Sequence, residues 1–176
     1  MIVSQEKAEL EGLLEVANLM CIAARTAPKC RGRDYISTAI LTGKEKSNVT
    51  KKMREIASKG FRPSTFNRDA DNVDNAQALV LIGTKKAYLE LDCTFCGFSS
   101  CEEAKKNSSL CVYNSGDLGI AIGSAVSVAN QHKVDNRIMF TAGLASVKAH
   151  ILGRDVNIIL GIPLSVTGKN IFFDRK

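Results

Sequence analysis

The run ALVLIGT, Ala78 to Thr84, carries no charge and no apolar/polar alternation. Successive side chains of a strand point to opposite faces, so a strand with this composition must be covered on both. A second run, VNIILGIP over 156–163, reads the same way, as a central strand ending at a proline turn. Two such strands demand helices above and below one sheet, which means a three-layer domain.

The segments between them supply those helices. Residues 5–24 place Leu10, Leu13, Leu14, Ala17, Leu19, Met20 and Ala24 at three- and four-residue spacings, an amphipathic helix that stops near Ala27-Pro28. After the basic loop RTAPKCRGR, DYISTAIL (34–41) predicts a strand, and 44–59 predicts a charged helix closed by Gly60. The polar stretch FRPSTFNRDADNVDN reads as a loop with a short helical turn, its Asp69 and Asp71 as turn residues. DLGIAIGSAVSVANQ (117–131) is apolar almost all round and reads as a core helix capped by Asp117. Its Gly119, Ala121, Gly123, Ser124 and Ala125 allow close backbone approach. A further helix is expected over 142–152. Helices and strands alternate irregularly, giving an α+β or α/β three-layer domain, with α+β the fold class expected. It is one domain over 1–176, with the cysteine segment 93–111 inserted between a strand and the core helix as the expected iron–sulfur-binding loop.

Composition narrows the function classes. With 45% apolar and 24% charged residues, the chain of 176 residues suits a soluble globular domain. The amino terminus has no signal-peptide pattern, and no run reaches the ~18 apolar residues of a membrane span, so a cytoplasmic location without membrane contact is expected. The net charge of +6 is spread along the chain, Trp is absent and aromatic residues are few. That distribution argues against nucleic acid as a partner and suits an anionic cofactor or substrate.

Six cysteines in such a chain point to metal or redox chemistry more than to disulfides. Four fall in CTFCGFSSCEEAKKNSSLC (93–111), as Cys93, Cys96, Cys101 and Cys111. Four thiolates from one short loop meet the ligand demand of a 4Fe-4S cluster, whereas structural zinc is more often built from two separated CxxC knuckles. Gly97 permits the tight turn after the CxxC pair. The amides of Gly97, Ser99, Ser100, Ser108 and Ser109 are expected to aim at cluster sulfurs and raise the potential, with Glu102 and Glu103 opposing them if close. Zinc and uncommitted thiols or disulfides stay as alternatives. Cys21 reads as a buried, inert thiol, while Cys30, flanked by Lys29, Arg31 and Arg33, is expected to have a lowered pKa. His132 and His150 have no ligand-spaced partner and read as surface or capping residues.

The stretches AARTAPKCRGRD, LDCTFCGFSSCEE, DLGIAIGSAV, DNRIMFTAGLA and GIPLSVTGKNIFFDR together resemble a family of bacterial and archaeal proteins described as containing a ferredoxin domain. The order of elements also resembles a shortened FMN-dependent nitroreductase. That second likeness implies a nitroreductase-like core, a homodimer and an FMN held by basic residues, with Arg25, Lys29, Lys169 and Arg175 as the matching positions. The family's opening Arg-Ser-Arg stretch has no counterpart in MIVSQEKAEL.

Two functions follow as expectations. The first is a 4Fe-4S redox protein, with or without a coupled flavin, passing electrons to a partner protein or small acceptor. The second is a non-enzymatic metal-binding module, structural with zinc or sensing oxygen or iron through a cluster. They differ on whether the chain is an oxidoreductase at all.

Overall fold

The computed structural model describes residues 1–173. Helix α1 (Gln5–Thr26) starts where the Ser4 hydroxyl accepts the Lys7 amide and buries Leu13, Val16, Ala17, Met20 and Ala24 along one stripe. A 3-10 turn at Cys30–Gly32 leads to β1 (Ile36–Leu41), α2 (Gly43–Ser58), α3 (Pro63–Asn75) and β2 (Ala78–Lys85). Then follow α4 (Cys101–Lys106), α5 (Val112–Gln131), β3 (Asp135–Asn136), α6 (Phe140–Lys148) and β4 (Val156–Ser165).

Among the described residues the strands form one antiparallel sheet in the order β1-β2-β4-β3. β1 is an edge: no strand lies on its outer side among the described residues. β2 alternates as its pattern requires. Ala78, Val80 and Ile82 join α1 and α5 in one core, while Leu79 and Leu81 join α2, α3 and α6 in the other. The three layers expected from ALVLIGT are present, with α1 and α5 antiparallel neighbours on one face.

Several elements differ from expectation. The polar stretch before β2 is not a loop but the 13-residue helix α3. Pro63 occupies its first turn, where the missing amide is harmless, and Phe66, Ala70 and Val73 face inward at helical spacing. Asp69 lies on the same buried face, accepting the Thr141 hydroxyl at 2.7 Å and the Arg68 guanidinium at 2.7 Å. The buried Lys46 ammonium donates to the carbonyls of Val73, Asp74 and Ala76 at 2.6–2.8 Å and so closes the end of α3.

Pro163 does not end a strand; it pairs with Leu79 inside β4. Gly161 exchanges hydrogen bonds with Met139 on the β3 side, so by alternation the Pro163 nitrogen faces that side too. There β3 supplies only Asp135 and Asn136, paired with Ser165 and Leu164, and no ladder bond is lost. Helix α5 begins five residues before Asp117, which is therefore not its cap. Its glycines do not mediate close packing within the chain either: a Cβ at Gly116, Gly119 or Gly123 would meet nothing within 4 Å. The close approach is at α6 instead, where a Cβ on Gly143 would lie 1.7 Å from the Ile159 carbonyl oxygen. No helix among the described residues is long and apolar enough to cross a membrane.

Candidate metal centre

After β2 the chain leaves the sheet at a bulge between Thr84 and Lys85 and runs irregularly to α4. Its backbone there is unusual. Glu90, Asp92 and Thr94 all have positive φ (56°, 46° and 63°), as does Gly97 at 85°. Three non-glycine residues in the left-handed region within five positions cost on the order of 1–2 kcal/mol each, a strain typical of functional loops.

On this loop and the helix starts that follow it, the four cysteines border one space. Cys93, Cys96, Cys101 and Cys111 line a single small cavity, walled by Tyr88, Leu89, Leu91, Phe98, Ala104 and Tyr113. Cys93 and Cys96 flank a tight turn in which the Gly97 amide donates to the Thr94 carbonyl at 2.8 Å. Cys101 opens α4, its amide held by the Asp92 carboxylate at 2.6 Å. Cys111 is buried directly before the first residue of the 20-residue helix α5. Beside the cavity the exposed ring of Phe95 stacks on Tyr113, centroids 6.1 Å apart.

The loop is tied to the core from several sides. The Arg31 guanidinium donates to the carbonyls of Leu89 (3.0 Å) and Glu90 (3.3 Å). The Glu90 carboxylate is shared between Lys105 and Arg33, at 3.2 and 3.5 Å, and these cations, Lys105 foremost, hold its pKa below the usual carboxylate range. Tyr88 and Lys86 donate to the carbonyls of Ser109 and Ser108, both at 2.7 Å. Inside, the Asn114 amide reaches the Thr84 hydroxyl at 3.0 Å. Nothing in the sequence pattern announced Arg31, Asp92 or Tyr88 as supports, because each acts on backbone groups of a loop with no regular period.

Four of the five amides expected to face a cluster donate elsewhere. Gly97 donates to Thr94, Ser108 to the Lys105 carbonyl and Ser109 to the Ala104 carbonyl. Ser99 gives both its amide and its hydroxyl to Glu103, at 2.8 and 2.6 Å, and the Ser100 hydroxyl caps α4. Glu103 is thereby held, and Glu102 pairs with Lys106. The Ser109 hydroxyl is the exception: it is buried and has no partner among the described residues.

Four thiols, apolar walls and one orphaned hydroxyl two residues from Cys111 fit a thiolate-ligated group. No three His, Cys, Asp or Glu side chains among the described residues converge on a single-ion site. A tetrahedral zinc would need its sulfurs about 3.8 Å apart at a Zn–S distance of about 2.3 Å. A four-iron cluster is itself larger and holds its ligands farther apart.

The remaining candidates fall elsewhere. Arg25 is ion-paired with Asp34, and Lys29 donates to the carbonyls of Ala24, Arg25 and Ala27 at 2.6–2.8 Å, closing α1. Thr167 and Gly168, next to Lys169 in sequence, border Gln5 and Glu6, which lie about 30 Å of helix from Arg25 at the other end of α1. Within one chain these cations are not brought together, and Arg175 is outside the described residues. Cys21 packs half-buried against the first core, and burial raises its pKa. For Cys30 the expected lowering is overturned: desolvation, then the Asp117 carboxylate and Cys111, push its thiol up, and Arg31 offsets them only in part. His132 caps α5, and His150 is exposed.

Comparison with known proteins adds context to this geometry. Residues 107–175 match a family described as "uncharacterized protein containing a ferredoxin domain". The matched stretch includes Cys111 but not the other three loop cysteines. An "uncharacterized protein" of Archaeoglobus fulgidus is 38% identical over 184 aligned residues, covering 99% of this chain and 98% of its own. Among solved structures, a nitroreductase-like family protein from Bacillus cereus aligns with a TM-score of 0.61 at 10% identity, over 97% of this chain and 78% of its own. A nitroreductase with bound FMN from Desulfitobacterium hafniense aligns at 0.59 and 12%, over 96% and 81%. Likeness at such identities is a likeness of fold.

Proposed function

The chain belongs to the family of ferredoxin-domain proteins and carries a nitroreductase-like α+β fold, and from that premise we propose that it is an iron–sulfur electron-transfer protein. One observation carries the reading: the four cysteines of a 19-residue stretch, spread over a turn, a short helix and a helix start, all line one cavity. A 4Fe-4S cluster held there supplies reversible one-electron storage.

The chain's own residues do the rest. Cys93, Cys96, Cys101 and Cys111 hold the iron, Asp92 fixes the Cys101 backbone, and Tyr88, Leu89 and Phe98 exclude water. Few amides are left to bond the sulfurs, which favours a lower potential than the serine-rich sequence suggested. Phe95 and Tyr113 form an exposed aromatic rim at which a redox partner protein or small acceptor would dock. The half-buried state of Cys93, Cys96 and Cys101 favours a second reading, a cluster lost on oxidation and used as a sensor.

The flavin-coupled form has less support. Arg25 and Lys29 are committed to partners within the chain and, as placed, do not fit a phosphate anchor, so no step is derived through a flavin. The basic residues at the two ends of α1 would meet only across two copies of the chain, as in the implied homodimer.

Anaerobic purification tests the reading. The expected result is about four irons and four sulfides per chain and a broad band near ~400 nm that dithionite bleaches. Cys101→Ser is expected to lose most of the iron and the band. A colourless protein with stoichiometric zinc would sink the proposal, and a resolved flavin band would restore the coupled form.

A further inference from the structure

Four cysteines suffice for a cluster, yet a fifth is tied to the segments that carry two of them. Cys30 follows the Ala-Pro loop, 63 positions before Cys93 in sequence. Its amide donates to both oxygens of the buried Asp117 carboxylate, at 3.0 and 3.1 Å. Asp117 sits on α5, the helix that Cys111 precedes, six residues or about 9 Å of helix away. The next residue, Arg31, adopts a left-handed φ of 56° and sends its guanidinium to the carbonyls of Leu89 and Glu90, four and three residues before Cys93. Arg33 reaches the Glu90 carboxylate as well. Cys30 is thus fixed between the two segments that carry Cys111 and Cys93.

We propose that Cys30 is a fifth thiol of this centre, placed to take over an iron from Cys93 or Cys111. The inference rests on the cluster reading above and deepens it. The exchange is redox-neutral: the iron–sulfur bond to Cys93 or Cys111 breaks, one to Cys30 forms, and the Cys30 proton passes to the released thiolate. Asp117 and Arg31 act as positioning residues, since they hold residue 30 by its backbone and by its neighbour.

Two measurements on the full chain test it. Wild type, Cys30→Ser, Cys96→Ser, Cys111→Ser, Cys93→Ser and the doubles Cys30→Ser/Cys111→Ser and Cys30→Ser/Cys93→Ser are reconstituted anaerobically with ferrous iron and sulfide. Cys30→Ser is expected to keep its iron. Cys111→Ser or Cys93→Ser should retain most of it with an altered electron paramagnetic resonance spectrum, and the matching double should bind iron at least about tenfold more weakly. Cys96→Ser, with no reserve thiol beside it, should lose iron as the doubles do. If Cys93→Ser and Cys111→Ser each lose as much iron as their doubles, the proposal is overturned while the cluster stands.

The second measurement needs no iron. Dibromobimane fluoresces on bridging two neighbouring thiols, and on the iron-free chain its adduct should map to Cys30 with Cys93 or Cys111. No bridge to Cys30 overturns the placement. A wild type that binds no iron but forms the bridge removes the proposed function, and ligand exchange with it, while the thiol cluster itself stands.

Discussion

Gly143 and Gly123 are the same residue type on two helices, and the surroundings give their replacement opposite signs. At Gly143 an added methyl would collide with the backbone of Ile159 and Leu160, which cannot rotate away. Gly143→Ala should therefore cost at least about 3 kcal/mol in urea denaturation, the upper range for overpacking. Glu55 makes a different kind of prediction. Its carboxylate lies between the ammonium groups of Lys52 (2.7 Å) and Lys59 (2.9 Å), which, Lys52 foremost, lower its pKa from 4.5 to about 2. A carboxylate depressed on folding stabilises fully above its unfolded pKa and loses that contribution as pH falls through the folded one. The stability gap between wild type and Glu55→Gln should thus be constant above about pH 5 and narrow steadily towards pH 2, as followed by denaturation midpoints. A gap independent of pH would refute the pairing.

At the scale of elements, what was legible depended on whether period and polarity agreed. Helix α1 and strands β1, β2 and β4 announced themselves because apolar residues fell on a period of 3.6 or filled a whole strand. Helix α3 did not, because its inward face holds Asp69 and its outward face is rich in Asn and Asp, so its three apolar anchors looked incidental. The Asp69–Thr141 bond that lets this face be buried joins residues 72 apart, beyond any local pattern. Helix α5 misled in the other direction. Apolar on every side, it read as fully enclosed, yet Gly116, Gly119, Ile120 and Gly123 face outward. An exposed glycine within a helix costs about 0.5–1 kcal/mol relative to alanine, so Gly123→Ala should raise the stability of the isolated chain by that amount. A loss in its place would show that this face is covered in solution. The candidate site was legible as a list of residue types; its supports were not, since Arg31 and Asp117 act on backbone groups 58 and 87 residues away, and Asp92 on one nine residues away in an irregular loop.

For the whole molecule, the cysteine cavity lies outside both apolar cores. No loop cysteine belongs to either cluster of buried core residues, and the segment is held by side chains bonding to carbonyls. Such a region opens locally at lower free energy than the sheet it leans on. Removing the iron of the proposed cluster with a chelator should speed hydrogen exchange at residues 88–111 and leave Val80–Ile82 and Ile159–Ile162 unchanged. Loosening of the sheet as well would mean that metal and core fold as one unit.

The edge at β1 is open to pairing from outside the chain. Ile36 to Leu41 is a six-residue strand without Lys, Pro or a bulge, the devices by which natural edges discourage pairing. Its outward amides and carbonyls alternate at the spacing any extended peptide presents. The sheet therefore has a growing end, and a fifth strand contributed from outside would find its register already written in the backbone.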